Sequence, residues 1–464
     1  MNKYTHLAKN TVIFAIGTFS SKLLTFVMMP VYTYFLATNE YGSFNLIVQT
    51  ANLLMPLITV GMTQAIIRFG VDRLYRRTDV FSVSFFCTVI AFLLLLCFSP
   101  LVAMLGFIGN YIFLLLLYVL MSCFRQVCSQ FVRAKGATKL FAFDGMLSTA
   151  TNCLFTILFL IPCHMGVTGA LLAVICSDFL SILFLFWVAG LHKYISLRGI
   201  SRETAKDMLK FALPLIPTQI FWWIVSVSDQ YLVAFMISES ANGVYAAAYK
   251  VPTILMVVAT IFMDAWQISA VQENNKDRAK FFTKVFNAYQ VIMLFASACL
   301  IPFAKLLTII LTSSAYYESW RYIPFLIIAT AFCNLVNFTG SVYMVEKRSV
   351  AALVTTIMGA VMNCGLNAAL IPLMGIQGAA IATFVSYFSV FVVRVIHTRQ
   401  FIRIHFNTLR FAVNVALIIG QVLFMIFEVP GWIFIQIAFV LAFTALNLKT
   451  LKNNLASMVR RRRA

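Results

Sequence analysis

The chain has 464 residues, 62% of them hydrophobic and 11% charged, with a mean hydropathy of +0.92. Soluble domains carry about 25% charged residues, so this composition excludes one and points to a polytopic membrane protein. The formal net charge of +20 sits in short segments between apolar runs, which serves topology and anionic lipid and excludes nucleic acid as the partner.

Hydropathy and periodicity predict an all-α protein of about fourteen transmembrane helices. The spans run at about 10–36, 44–68, 80–104, 111–133, 143–163, 167–190, 209–236, 243–268, 283–311, 322–345, 350–372, 376–398, 409–428 and 431–448. The first begins after a short basic lead, Lys3 and Lys9, and lacks the small-residue site of a cleavable signal peptide. Basic residues crowd alternate loops: Arg68 to Arg77, Arg133 to Lys139, Lys193 to Lys210, Lys276 to Lys284, Lys347 and Arg348, and Arg394 to Arg410. The intervening loops carry no cation except Arg321, with Lys305 nearby. The positive-inside rule then puts both termini in the cytoplasm, in a bacterial inner membrane if the chain is bacterial. The ten cysteines are scattered singly, without metal spacing, and are read as apolar packers, so no metal or cofactor is expected.

One stretch occurs twice. Gly166 to Phe179 and Gly375 to Phe388 share Gly166/Gly375, Gly169/Gly378, Ala170/Ala379, Ala173/Ala382, Ser177/Ser386 and Phe179/Phe388. Each copy follows a helix that carries Asn-Cys (Asn152, Asn363) and ends at proline (Pro162, Pro372). Tyr41-Gly42 is echoed by Asn242-Gly243-Val244-Tyr245. A steady offset across several helices indicates a duplicated half. Residues 1–190 form a first lobe of six spans, 191–208 a cytoplasmic linker, and 209–398 a second lobe. Spans 13 and 14 occupy 399–448, and 449–464 is a basic tail. Six spans per half give two parallel lobes, an arrangement that suits alternating access.

Ionisable groups within spans are costly and need a reason. Lys22, Arg125 and Asp178 fall near mid-depth in the first lobe, where one carboxylate leaves a surplus of positive charge for an anionic substrate. In the second lobe, Asp229 and Lys250 flank one short outer loop at equal distances and are expected to form a salt bridge. Asp264, near the inner end of span 8, is a third carboxylate and a candidate coupling site. Prolines interrupt equivalent spans in both halves (Pro30, Pro56; Pro214, Pro217, Pro252), which marks a pathway with bending elements. Asn45, Gln49, Asn52 and Gln64, with Gln219 and Gln230, are candidate pathway residues. Trp222, Trp223 and Trp266 are candidates for stacking on sugar rings, against the commoner packing role of membrane tryptophans. No phosphate-binding loop or hydrolytic triad stands out, so an enzyme is not expected.

The segments SSKLLTF at 20–26, FVRAKGATKLFAFDG at 131–145, VSDQYLV at 227–233, NGVYAAAYKVP at 242–252, DAWQ at 264–267 and NCGLNAALIPLMGIQGAAIAT at 363–383 resemble Wzx-type polysaccharide flippases of the MOP exporter superfamily. The resemblance covers nearly the whole chain. It implies a MATE-like fold and translocation of an undecaprenyl-diphosphate-linked oligosaccharide to the outer leaflet, for O-antigen, capsule or exopolysaccharide synthesis. Without a nucleotide site, the driving force is expected to be an ion gradient (H⁺ or Na⁺), the membrane potential or downstream consumption, with a polysaccharide polymerase as partner. Cavity cations that meet the diphosphate map onto Lys22, Arg125 and Lys250, with Gln49 and Trp222 on the sugar side. The family often has a base after the span-7 aspartate, where this chain has Gln230. A cation-coupled drug or metabolite antiporter of the same superfamily is the alternative.

Overall fold

The computed structural model describes residue 24 and residues 26–461, apart from 73, 105–107, 197–199, 273–277 and 347. Among these the chain forms helices and no strand. Ten helices are long and apolar enough to cross a membrane, or twelve when each of two bent pairs counts as one span. The first predicted span lies largely outside the described residues, and the last has only a short apolar stretch, Trp432–Leu448.

The helices used below are α1 Met29–Phe35, α2 Thr38–Ile58, α3 Met62–Val71, α4 Arg77–Ala103, α5 Ile112–Ala134, α6 Thr138–Leu160, α7 Gly166–Val188, α8 Arg202–Ala212, α9 Leu215–Met236, α10 Glu239–Ala248 and α11 Thr253–Gln272. They continue as α12 Arg278–Leu300, α13 Ala304–Leu311, α14 Ile323–Val345, α15 Ser349–Met374, α16 Ile376–Thr398, α17 Thr408–Ile426 and α18 Trp432–Arg461. Two compact units result. One comprises 1–227 with 238–243, the other 228–237 with 244–464.

In the first unit α6 and α7 form a tight hairpin, as the duplicated stretch requires. Gly166 opens α7 at φ +55°, a conformation that strains any residue with a Cβ. A Cβ on Gly169 would stand 3.3 Å from the carbonyl oxygen of Phe159 on α6. The second unit repeats the device between α15 and α16: Gly375 has φ +60°, and a Cβ on Gly378 would lie 2.3 Å from the carbonyl oxygen of Leu370. The recurring glycines are thus one turn and one backbone contact, made twice.

The predicted interruptions fall where the halves correspond. α2 and α3 are bent by 47° across Val60 and Gly61, both in the left-handed region, a few residues beyond Pro56. α10 and the start of α11 are also bent by 47°, across 249–252 with Pro252. Pro30 occupies the first turn of α1, Pro214 lies in the two-residue turn that separates α8 from α9 and so interrupts the seventh predicted span, and Pro217 sits in the first turn of α9.

The expected linker is not free. Ser201 caps α8 by accepting from the Thr204 backbone N–H at 3.3 Å. Met208 and Ala212, one helical turn apart, are wholly buried against Phe69, Val80 and Phe131 of the first unit. The basic residues on its other face stay in solvent.

Candidate functional site

Within the first unit α5, α6 and α7 enclose a polar cluster. Arg125 on α5 faces Asp144 on α6 at 3.8 Å and Asp178 on α7 at 3.5 Å. Its Nε donates to Ser181 Oγ at 3.1 Å. Ser122 donates to Asp178, and Ser181 to Asp144. Both carboxylates are nearly inaccessible, while the arginine side chain keeps about a quarter of its surface open (26%). The predicted positive surplus therefore does not hold for this cluster, where one cation is spanned by two carboxylates. Asp144 was the missing member. It lies two turns into α6, which begins at Thr138 rather than near residue 143, and so appears in the sequence to sit at a span's mouth. Lys22 lies outside the described residues.

α2 carries a polar stripe. Asn45, Gln49 and Asn52 recur at helical spacing, partly or fully exposed, while Leu46, Ile47, Thr50 and Ala51 are buried. Asn52 Nδ2 donates to Gln49 Oε1 at 3.2 Å. Amide groups turned outward on a membrane helix call for water rather than lipid beside them. Trp223 donates from Nε1 to the Gln49 carbonyl at 2.9 Å, which fixes α9 against α2, and Trp222 is half-buried next to it. Trp266 is a core residue: it is 3% exposed, stacks on Phe338 at 4.7 Å and donates to Ser341 Oγ at 2.9 Å.

In the second unit Asp229 is fully buried on α9. Its carboxylate accepts from Tyr245 at 2.8 Å, from Thr383 at 2.9 Å and from Tyr249. Beside it, Asn363 accepts from Ser228 and Asn367, both at 2.9 Å. Thus Asn363 and Thr383 of the duplicated segment build the wall around this carboxylate. The expected Asp229–Lys250 salt bridge is absent among the described residues. A straight hairpin would bring the two to equal depth, but α10 stops at Ala248 and leaves Lys250 in the break. Tyr245 and Tyr249, four residues apart, take the aspartate instead. Lys250 is half-buried, and no carboxylate among the described residues pairs with it. The side chain of Asp264 lies outside the described residues.

A further buried cation went unforeseen. Arg394, expected among the loop cations, is 3% exposed on α16. It donates to Thr355 Oγ1 at 3.0 Å, Thr356 Oγ1 at 3.1 Å and the Val336 carbonyl at 2.9 Å. Room for it comes from Gly340, where a Cβ would meet the guanidinium at 2.8 Å. Threonines 355 and 356, about two turns into α15, are the trace of this in the sequence.

Paired carboxylates, buried cations, two equally bent helix pairs and a repeated hairpin thus sit in one all-helical chain. Solved structures share its fold. An inward-facing multidrug-resistance MATE transporter of the MOP superfamily superposes with a TM-score of 0.67 at 16% identity, over 87% of this chain and 99% of that one. An outward-facing MATE transporter gives 0.64 at 18%, over 84% and 95%. A MOP superfamily transporter from Pyrococcus furiosus, described by the reverse polarity of its binding pocket, gives 0.61 at 17%, over 85% and 95%. The protein thus has the fold of the MATE transporters of the MOP superfamily and is a multi-pass membrane protein. It belongs to the polysaccharide biosynthesis protein family, which matches residues 7–267. No curated protein sequence matches the chain significantly.

Proposed function

We propose that the protein flips an undecaprenyl-diphosphate-linked oligosaccharide from the cytoplasmic to the outer leaflet of a bacterial inner membrane, with both termini cytoplasmic. The observation that carries this reading is Lys250: a half-buried cation in the break of a membrane helix, with no carboxylate partner among the described residues. A cation left without a counter-ion at such a cost suits an anionic group that arrives with the substrate. The family match and the polar stripe on α2 agree with a wet path for a sugar head. Two negative charges leaving across an inside-negative potential of about 100 mV gain about 4.6 kcal/mol, so outward movement needs no nucleotide.

The test is Lys250→Ala, alongside Lys22→Ala, in cells that depend on this protein for surface polysaccharide. Each variant should reach the membrane, lose export and accumulate lipid-linked repeats on the inner side. Normal export by a well-expressed Lys250→Ala protein overturns the assignment.

The Arg125 cluster favours a second reading, a cation-coupled antiporter. Two carboxylates around one arginine supply an acidic site in the first unit that a proton or sodium ion could share. Drug efflux that Asp178→Asn abolishes, with polysaccharide export intact, selects this reading over the first.

A further inference from the structure

At the basic end of the second unit, α15 and α16 leave a cavity of about 660 Å³ apart from the Arg125 and Asp229 clusters, with Thr355, which holds Arg394, in its wall. One end of it is polar: Arg348, Ser349, His397 and Gln400. From there an apolar lane follows α15 through Val350, Val354 and Met358, four residues apart and hence on one face. Val350 is 72% exposed and Val354 58%, so the lane opens sideways rather than into the core.

The cationic end is held ready. The Arg348 guanidinium lies over the Phe401 ring at 5.3 Å. His397 Nδ1 is 2.9 Å from the Tyr343 hydroxyl, and its ring packs on Phe401 at 5.7 Å. The nearest acid in sequence, Glu346, is bound to Arg278 at 2.9 Å, and no carboxylate among the described residues pairs with Arg348. Arg348 is also the N-cap of α15 and makes no side-chain cap, so the positive end of the helix begins beside the guanidinium. Positive charge, a helix N-terminus and an adjoining exposed apolar lane together match one phosphate with one acyl chain attached.

We propose that this cavity binds an anionic glycerophospholipid, its phosphate against Arg348, His397 and the start of α15, and a chain along Val350, Val354 and Met358. The occupant is a bilayer lipid: a soluble phosphate would leave the lane bare, and a zwitterionic lipid would bring its own cation to Arg348.

The test uses the full chain, purified and delipidated, then titrated with phosphatidylglycerol, phosphatidylcholine or inorganic phosphate and followed by native mass spectrometry. The wild type should retain one phosphatidylglycerol in preference to phosphatidylcholine, and inorganic phosphate should not displace it. Arg348→Ala should weaken retention about fivefold, at about 1 kcal/mol per cation near the surface. Val354→Trp, which keeps the charges and fills the lane, should weaken it too, whereas Arg410→Ala, on an exposed cation elsewhere, should not. Equal retention by Arg348→Ala and Val354→Trp, equal binding of phosphatidylcholine, or displacement by inorganic phosphate each overturns the proposal. The readout is binding, so loss of flippase activity in other variants leaves it standing.

Discussion

Gly42→Ala probes a backbone-to-backbone helix contact within the first unit. A Cβ at Gly42 would lie 2.0 Å from the carbonyl oxygen of Glu239, and one at Gly243 would lie 1.9 Å from that of Thr38. The two clashes are mirror images, because 38 and 42 correspond to 239 and 243 at the repeat offset. Around them, Thr38 and Ser240 share a hydroxyl hydrogen bond at 2.7 Å, Asn242 donates to the Gly42 carbonyl at 3.2 Å, and Ser43 donates to Glu239. An obstructing backbone carbonyl cannot rotate away as a side chain can. The segments must instead part by roughly 1 Å, which weakens all three bonds, and overpacking of this kind costs about 1–3 kcal/mol. Thermal unfolding of the purified protein in detergent should show the loss for either single variant. Once one methyl has parted the segments, the second adds little, so Gly42→Ala/Gly243→Ala should cost clearly less than the sum of the singles. Wild-type melting of both singles would refute the close contact, and full additivity would refute the shared crossing.

Removal of Arg125 leaves Asp144 and Asp178 buried without a counter-ion, so Arg125→Met should destabilise by about 3–5 kcal/mol and more than Asp144→Asn, measured by the same melts. The swap Asp229→Lys with Lys250→Asp should fail to restore what either single change loses, because tyrosines hold the aspartate; Tyr249→Phe should mimic part of the Asp229→Asn defect in transport assays. The Glu428 carboxyl is held below its ordinary value of 4.5 by its hydrogen bond to Lys305 and then by that cation's charge. A lowered folded value means that the pair stabilises above the ordinary glutamate range and is lost as pH falls through the folded value. Lys305 also lies 4.2 Å over Trp320 and 4.8 Å over Trp432, so tryptophan fluorescence should change on acidification below that range and stay flat in Glu428→Gln.

Composition and repeated spacing alone determined that this is an all-α membrane protein with a duplicated hairpin, and that its breaks recur at matching places. Those features are local: apolar run length, Gly166 and Gly375 at turns, and Pro56 and Pro252 near interruptions express themselves within a few residues. Partner choice among buried charges was decided only by tertiary packing. Nothing in the spacing told that Asp144 joins Asp178 at Arg125, since three helices must first pack side by side. Nor could counting along a straight hairpin show that a break at 249–252 hands Asp229 to Tyr245 and Tyr249 and leaves Lys250 open. Arg394 makes the same point: its position in the chain suggests a loop cation, yet Gly340 on another helix makes the room that buries it. A charge inside a membrane takes the partner that reaches it, and reach is a property of the assembled helices.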